Sequence, residues 1–158
     1  MRNIALKILQ KADNGEYLNL VFQDCLKTAP LSSSDTAFVK ELVFGVFRNK
    51  ILLDYIIRKN SSIRLKKIDP QILNILRMGA YQILFMDKVP DHAAVSESVN
   101  LAKKCSGQRT VAFVNAVLRQ IIRTNPDKYP DLSKITDKTE YLSVKYSYPQ
   151  SLCEFFVK

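Results

Sequence analysis

The segment "PQILNILRMGAYQILFM", residues 70–86, limits the fold more than any other part of the chain. Its apolar residues recur at spacings of three and four, the period of a helix, and leave a single polar stripe containing Asn74, Arg77 and Gln82. A helix that is apolar on almost every side belongs in the middle of a bundle, touched on most faces by other helices. Arg77 is then expected to pack its stem and direct its head to a carboxylate or to the surface. Asp69-Pro70 opens this helix, with proline at the first position, where its missing donor does no harm. Gly79 within it is disfavoured by about 1 kcal/mol relative to alanine, which makes sense where another backbone approaches closely.

The same period runs through the rest of the chain, which holds only 4 glycines, and the expected fold class is all-α. "RNIALKILQKA" places Ile4, Ala5, Ile8, Leu9 and Ala12 on one face, and Asn14-Gly15 terminates it. The next helix turns Leu18, Val21, Phe22 and Cys25 inward. A third starts from serines and Asp35, which can accept from free backbone N–H groups, and buries Phe38, Val39, Leu42, Val43 and Val46. Its phase slips near Asn49-Lys50 and resumes with Leu52, Leu53, Ile56 and Ile57, so either two helices or one bent helix fits. After residue 90 a helix starts near His92 with Val95, Val99 and Ala102 inward, and Asp91 is placed to cap it. Another follows from about Thr110 to Arg123, ended by "TNPDKYPD". In the tail, Pro149 is expected to start a last helix, and Tyr146, Tyr148, Leu152, Phe155 and Phe156 to form an interdomain docking element.

A chain of 158 residues is one ordinary domain in size and carries a formal charge of +9. The charge is clustered: Arg58, Lys59, Arg64, Lys66 and Lys67 lie in an acid-free stretch between Asp54 and Asp69, and Lys103, Lys104, Arg109, Arg119 and Arg123 in another from Ser98 to Pro126. Such tracts fit a polyanion site better than scattered charge does, and nucleic acid becomes the leading partner class. No segment reaches 18 uninterrupted apolar residues, so nothing is expected to span a membrane, and a lipid surface is disfavoured because the apolar residues between the basic ones are needed for a core. Cys25, Cys105 and Cys153 are far apart and odd in number, which disfavours a disulfide framework and structural zinc and points to a reducing cytoplasm. Cys25 and Cys105 are expected on inward faces. The glycines are too scattered for a phosphate or dinucleotide loop, and His92, the sole histidine, reads as a capping or packing residue. No catalytic residue and no metal ligand is expected.

"ELVFGVFRNKILLDYII", "ILNILRMGAYQILFMDKVPDHAAVSESVNLAK" and "FVNAVLRQIIR", in that order and spacing, resemble the N-terminal domain of the ribosomal RNA cytosine C-5 methyltransferases of the Sun (RsmB) family. That domain is similar to the antitermination factor NusB, an all-helical RNA-binding fold. The resemblance implies a NusB-like RNA-binding helical domain over residues 1–125, with residues 126–158 a linker and the start of a segment leading to a methyltransferase domain. "KYSYPQSL" is similar to that segment, except that the family more often has an aromatic where Ser151 stands. S-adenosylmethionine is implied for the parent protein and not for these residues, and the cysteines here do not inherit the family's nucleophile. Ribosomal RNA and the protein's own C-terminal methyltransferase domain are the implied partners. The alternatives are a free-standing NusB-type antitermination module and an intramolecular scaffold for the catalytic domain.

Candidate RNA contacts are Arg2, Arg48, Lys103, Lys104, Arg109, Arg119 and Arg123. Asn115, Arg119 and Arg123, four apart, form one ribbon along a helix. Asn115 suits local bonding to the backbone around "PDHAAVSES", and the arginines suit phosphate forks or base stacking, or else bonds to helix ends and tail acids. Calorimetric titration with S-adenosylmethionine is expected to show no binding to this chain; micromolar affinity would contradict the reading.

Overall fold

The computed structural model describes residues 1–157, with side chains described through Phe155. Among the described residues there are nine α-helices and no strand: α1 (Arg2–Asp13), α2 (Leu18–Thr28), α3 (Ser33–Arg48), α4 (Lys50–Lys59), α5 (Pro70–Phe85), α6 (Asp91–Cys105), α7 (Gln108–Thr124), α8 (Lys138–Tyr146) and α9 (Gln150–Val157), with a short 3-10 turn at Leu65–Lys67. Helix α5 is the axis. Its residues from Asn74 to Leu84 are buried without interruption, and α1, α3, α4, α6 and α7 all pack on it. Asp69 caps it by accepting from the Gln71 N–H at 2.8 Å.

The polar stripe of α5 is fully used. Arg77, 6% exposed, donates from Nε to Asp54 Oδ1 at 2.7 Å and from Nη2 to Asp54 Oδ2 at 2.9 Å, a two-pronged pair with α4. Its Nη1 donates to Asn74 Oδ1 at 2.9 Å, and Asn74 in turn donates to Asp13 Oδ2 at 2.8 Å at the end of α1. One turn beyond, buried Gln82 accepts from Arg2 Nε at 2.7 Å and donates to the Met78 carbonyl at 2.9 Å. Helix α1 is therefore pinned to α5 at both ends.

The glycines act where two helices meet. A Cβ on Gly45 of α3 would lie 2.1 Å from the Tyr81 ring, and one on Gly79 would lie 2.8 Å from Leu118 Cδ1 of α7 and from Ser98 Oγ of α6. Between α3 and α4 the phase slip is a true break: Asn49 leaves helical geometry and donates from Nδ2 to the Gly45 carbonyl at 2.8 Å. The chain thus forms two helices there.

Some local expectations are corrected. Asp91 makes no cap bond; it lies within the first turn of α6 and pairs with Lys128, while the Pro90 carbonyl accepts from Ala93 and Ala94. Cys105 is exposed rather than inward, in an open groove with Ile68, Asp69 and Ile72 at the start of α5. Helix α8, which the tail's composition did not suggest, packs on α4 through Val144 and Ser143, and the Ser147 hydroxyl accepts from the Leu52 N–H at 3.1 Å. Tyr146 (54% exposed), Tyr148 (52%), Leu152 and Phe155 lie at the surface. The side chain of Phe156 lies outside the described residues.

Replacing Arg77 by methionine retains the buried stem and leaves Asp54 and Asn74 without their partner. Because Asp54 keeps some contact with water, the expected loss in urea unfolding is about 2–3 kcal/mol; a loss below about 0.5 kcal/mol would show that the pair does not set the packing.

Candidate nucleic-acid interface

Helices α6 and α7 form a tight hairpin joined at Ser106 and Gly107. Val114, Val117, Leu118 and Ile121 turn α7 inward, and at about 100° per residue the opposite face carries Arg109, Arg119 and Arg123. All three are exposed. Arg119 Nε donates to Asn115 Oδ1 at 3.1 Å, one turn back on its own helix. Arg123 donates from Nε and Nη2 to Gln120 Oε1 at 3.1 and 2.7 Å. Neither arginine appears in an ion pair among the described residues. Neutral amides thus orient both guanidinium groups without cancelling their charge. Asn115, expected to bond backbone near residues 90–98, instead serves as the acceptor that aims Arg119.

A groove of about 400 Å³ runs between the two helices, with Val95, Val99 and Ile122 as its apolar floor. Its polar walls are His92, Ser96, Asn100, Lys103, Asn115 and Arg119. From residue 92 to 103 a helix rises about 16 Å, long enough to face several phosphates of one strand. His92, expected to cap or pack, is exposed at one end of this groove. At the hairpin tip Arg109 lines a second groove with Lys67, Asp69 and Cys105. Partial desolvation by the groove walls, and secondarily Asp69, push the Cys105 thiol up from its ordinary pKa, which favours the protonated form over the nucleophilic thiolate.

The candidate contacts do not form one surface. Lys103, Arg109, Arg119 and Arg123 share the hairpin. Lys104 follows Lys103 and so points about 100° away from it around α6. Arg48 ends α3 and is exposed near Tyr81, whose hydroxyl pKa is raised by burial and by Glu41 against the opposing effect of Arg48. Arg2 is half-buried, its guanidinium bonded to Gln82 and 4.9 Å above the Phe38 ring. Burial lowers its pKa, with Glu97 opposing. Arg2 is thereby committed to holding α1. Conversely, the structure brings in Lys59, 5.3 Å from the Tyr55 ring at the end of α4, where it lines a recess with Gln120 and Thr124 of α7, whereas Arg58, 5.4 Å from the same ring, lies toward Glu140 and Val144 of α8. The density of basic residues between 55 and 68 was the available signal for them. Among the described residues no group of His, Cys, Asp and Glu could hold a metal ion, and no helix is long and apolar enough to cross a membrane. What the arrangement offers chemically is oriented, uncancelled positive charge.

The NusB family model matches residues 1–123. A Bacillus subtilis protein named "Probable ribosomal RNA small subunit methyltransferase B" is 35% identical over 153 residues, 96% of this chain and 33% of that protein. The chain thus spans about a third of that relative's length. The transcription antitermination protein NusB of Ruminiclostridium cellulolyticum is 37% identical over 129 residues, 76% of this chain and 84% of that protein. In a crystal structure of the antitermination factors NusB and NusE in complex with dsRNA, one chain superposes with a TM-score of 0.70 at 25% identity, covering 78% of this chain and 93% of its own length.

Because Arg119 and Arg123, among the described residues, bond only within α7, the Arg119→Ala, Arg123→Ala double variant is expected to stay within about 0.5 kcal/mol of the parent in urea unfolding. A loss of several kcal/mol would assign the pair to the fold instead.

Proposed function

Because the chain belongs to the NusB family, we propose that it is an RNA-binding module whose α6–α7 hairpin holds the phosphates of structured RNA. The observation that carries this reading is the state of Arg119 and Arg123: each is oriented by an amide on its own helix, and among the described residues neither is paired with a carboxylate. A guanidinium held this way is ready to meet a phosphate as a fork, with less ordering left to do on binding. Lys103 and Arg109 extend the positive strip. The module acts by recruitment, fixing where RNA lies, and binds no cofactor itself. The compartment we propose is the cytoplasm, where the free thiols of Cys25, Cys105 and Cys153 stay reduced.

Two finer assignments share this surface. As the recruiting domain of a ribosomal RNA cytosine-C5 methyltransferase, it would position an S-adenosylmethionine-dependent catalytic domain; the similarity to the Bacillus subtilis methyltransferase over 96% of this chain, tail included, supports that assignment. The exposed edge of Tyr146, Tyr148 and Leu152 would then face that domain. As a free-standing antitermination module, it would bind a transcript with a protein partner; the 84% and 93% coverage of the antitermination relatives supports this one. The first expects preference for small-subunit ribosomal RNA, the second for a transcript element bound jointly with the partner.

Binding to a short RNA duplex is expected to weaken steeply with salt, since each neutralised phosphate releases condensed counterions. Replacing Arg119 and Arg123 by alanine should lower affinity equally for unrelated duplexes and flatten the salt dependence by about two units of slope. Unchanged affinity in the folded double variant would refute the assignment.

A further inference from the structure

Where α4 and α7 end side by side, the segment after α7 folds back and closes a recess of about 200 Å³. Lys59 ends α4 and Asn60 follows it, Gln120 and Thr124 come from α7, and Asp131 and Lys134 from the returning segment. The walls meet at Thr124: its single hydroxyl hydrogen lies between the Gln120 carbonyl at 2.9 Å, within α7, and Asn60 Oδ1 at 3.2 Å. The recess adjoins the proposed phosphate strip, because Gln120 is the acceptor that holds Arg123. With its carbonyl occupied by Arg123, the Gln120 amide nitrogen is left to donate.

The charges in this recess have not neutralised each other by contact. Lys59 and Lys134 both act on Asp131 through space, yet neither closes to ion-pair distance among the described residues. The Asp131 carboxyl is held below its ordinary pKa first by hydrogen bonds from Ser133, whose N–H donates to Oδ1 at 3.0 Å, and further by the two lysines. It therefore presents an ionised acceptor. Two cations and one carboxylate around a small opening suit a ligand that carries an anion at one end and hydrogen-bond donors at the other. An unpaired nucleotide is such a ligand. Its phosphate is anionic, and the edge of guanine offers two adjacent N–H donors that a single carboxylate can accept together. The volume lies below the roughly 300–1,000 Å³ of drug-sized ligand sites and suits one base.

We propose that this recess receives one unpaired guanosine of the bound RNA, its base edge on Asp131 and its phosphate toward Lys59, Lys134 and Arg123. The site would add base readout to a strip that otherwise reads only backbone, as expected where unstacked bases of RNA are recognised. Asp131 and Lys134 lie beyond residues 1–123, so the site is built partly from residues outside the matched NusB domain. The inference rests on the RNA-binding reading above.

The test compares the full chain binding a short RNA duplex, the same duplex with one bulged guanosine, and the same with one bulged adenosine. The guanosine bulge is expected to bind about tenfold more tightly than either of the others. Asp131→Asn keeps an acceptor for Ser133 but removes the charge; it should erase that preference while plain-duplex affinity and melting temperature stay as in the parent. Equal binding of all three RNAs would overturn the recess and leave the phosphate strip standing. Binding to none would overturn both. A preference that survives in Asp131→Asn would also overturn the assignment.

Discussion

The two-pronged pair between Arg77 and Asp54 is the contact around which the bundle is organised. A guanidinium inside a core is tolerated only if it is well paired, and here each of its three nitrogens has an acceptor: Asp54 takes two bonds, Asn74 a third. Satisfying it fixes the rotation of α5 relative to α4. Asn74 carries the constraint on to Asp13, whose other oxygen meets Lys50 Nζ at 3.3 Å. Three helices are thereby set in register by one buried charge. With α5 oriented, its Gly79 face can only be the seat of α6 and α7, since the missing side chain leaves just enough room for Leu118 and Ser98.

The position of the hairpin determines what the surface can do. Once Leu118 and Ile121 are inward, helical geometry turns Arg119 and Arg123 outward, and the tight Ser106–Gly107 connection lays Lys103 of α6 beside them. The arginines on the outside are treated differently from the one inside. Arg77 is neutralised by carboxylates, Arg2 is folded onto Gln82 and Phe38, and Arg119 and Arg123 are merely oriented. That contrast separates a structural arginine from one available to a partner, and it cannot be drawn from charge counting alone.

Much of this was legible from local pattern. The near-uniform apolarity of residues 70–86 placed α5 at the centre, and Asn74, Arg77 and Gln82 were the positions to watch because nothing else on that helix was polar. Gly79 was readable as a contact point because a helix interior disfavours glycine without a reason. What escaped depends on partners distant in sequence. Arg2 looks like any terminal cation until Gln82, eighty positions away, is seen to accept from it. Asp91 has the right residue type for a cap, but Lys128, brought close by the returning segment, takes its carboxylate. Asn115 was legible as part of the arginine ribbon but with the backbone as its expected partner, and Gln120 drew no notice, until their bonds to the arginines one turn along gave both a role. The α8 docking on α4 turns on Val144 and Ser143, a small buried footprint within an otherwise polar stretch.

In the proposed complex RNA lies along the outer side of the α6–α7 hairpin and reaches the end of α4. Backbone amide NMR shifts recorded as a short RNA duplex is titrated into the labelled chain test it most directly. The largest changes are expected on Lys103, Arg109, Asn115, Arg119 and Arg123, extending to Lys59 and Asn60, while α2 and the outer face of α3 stay still. Changes concentrated on α1, α2 and α3, with the hairpin unmoved, would contradict it.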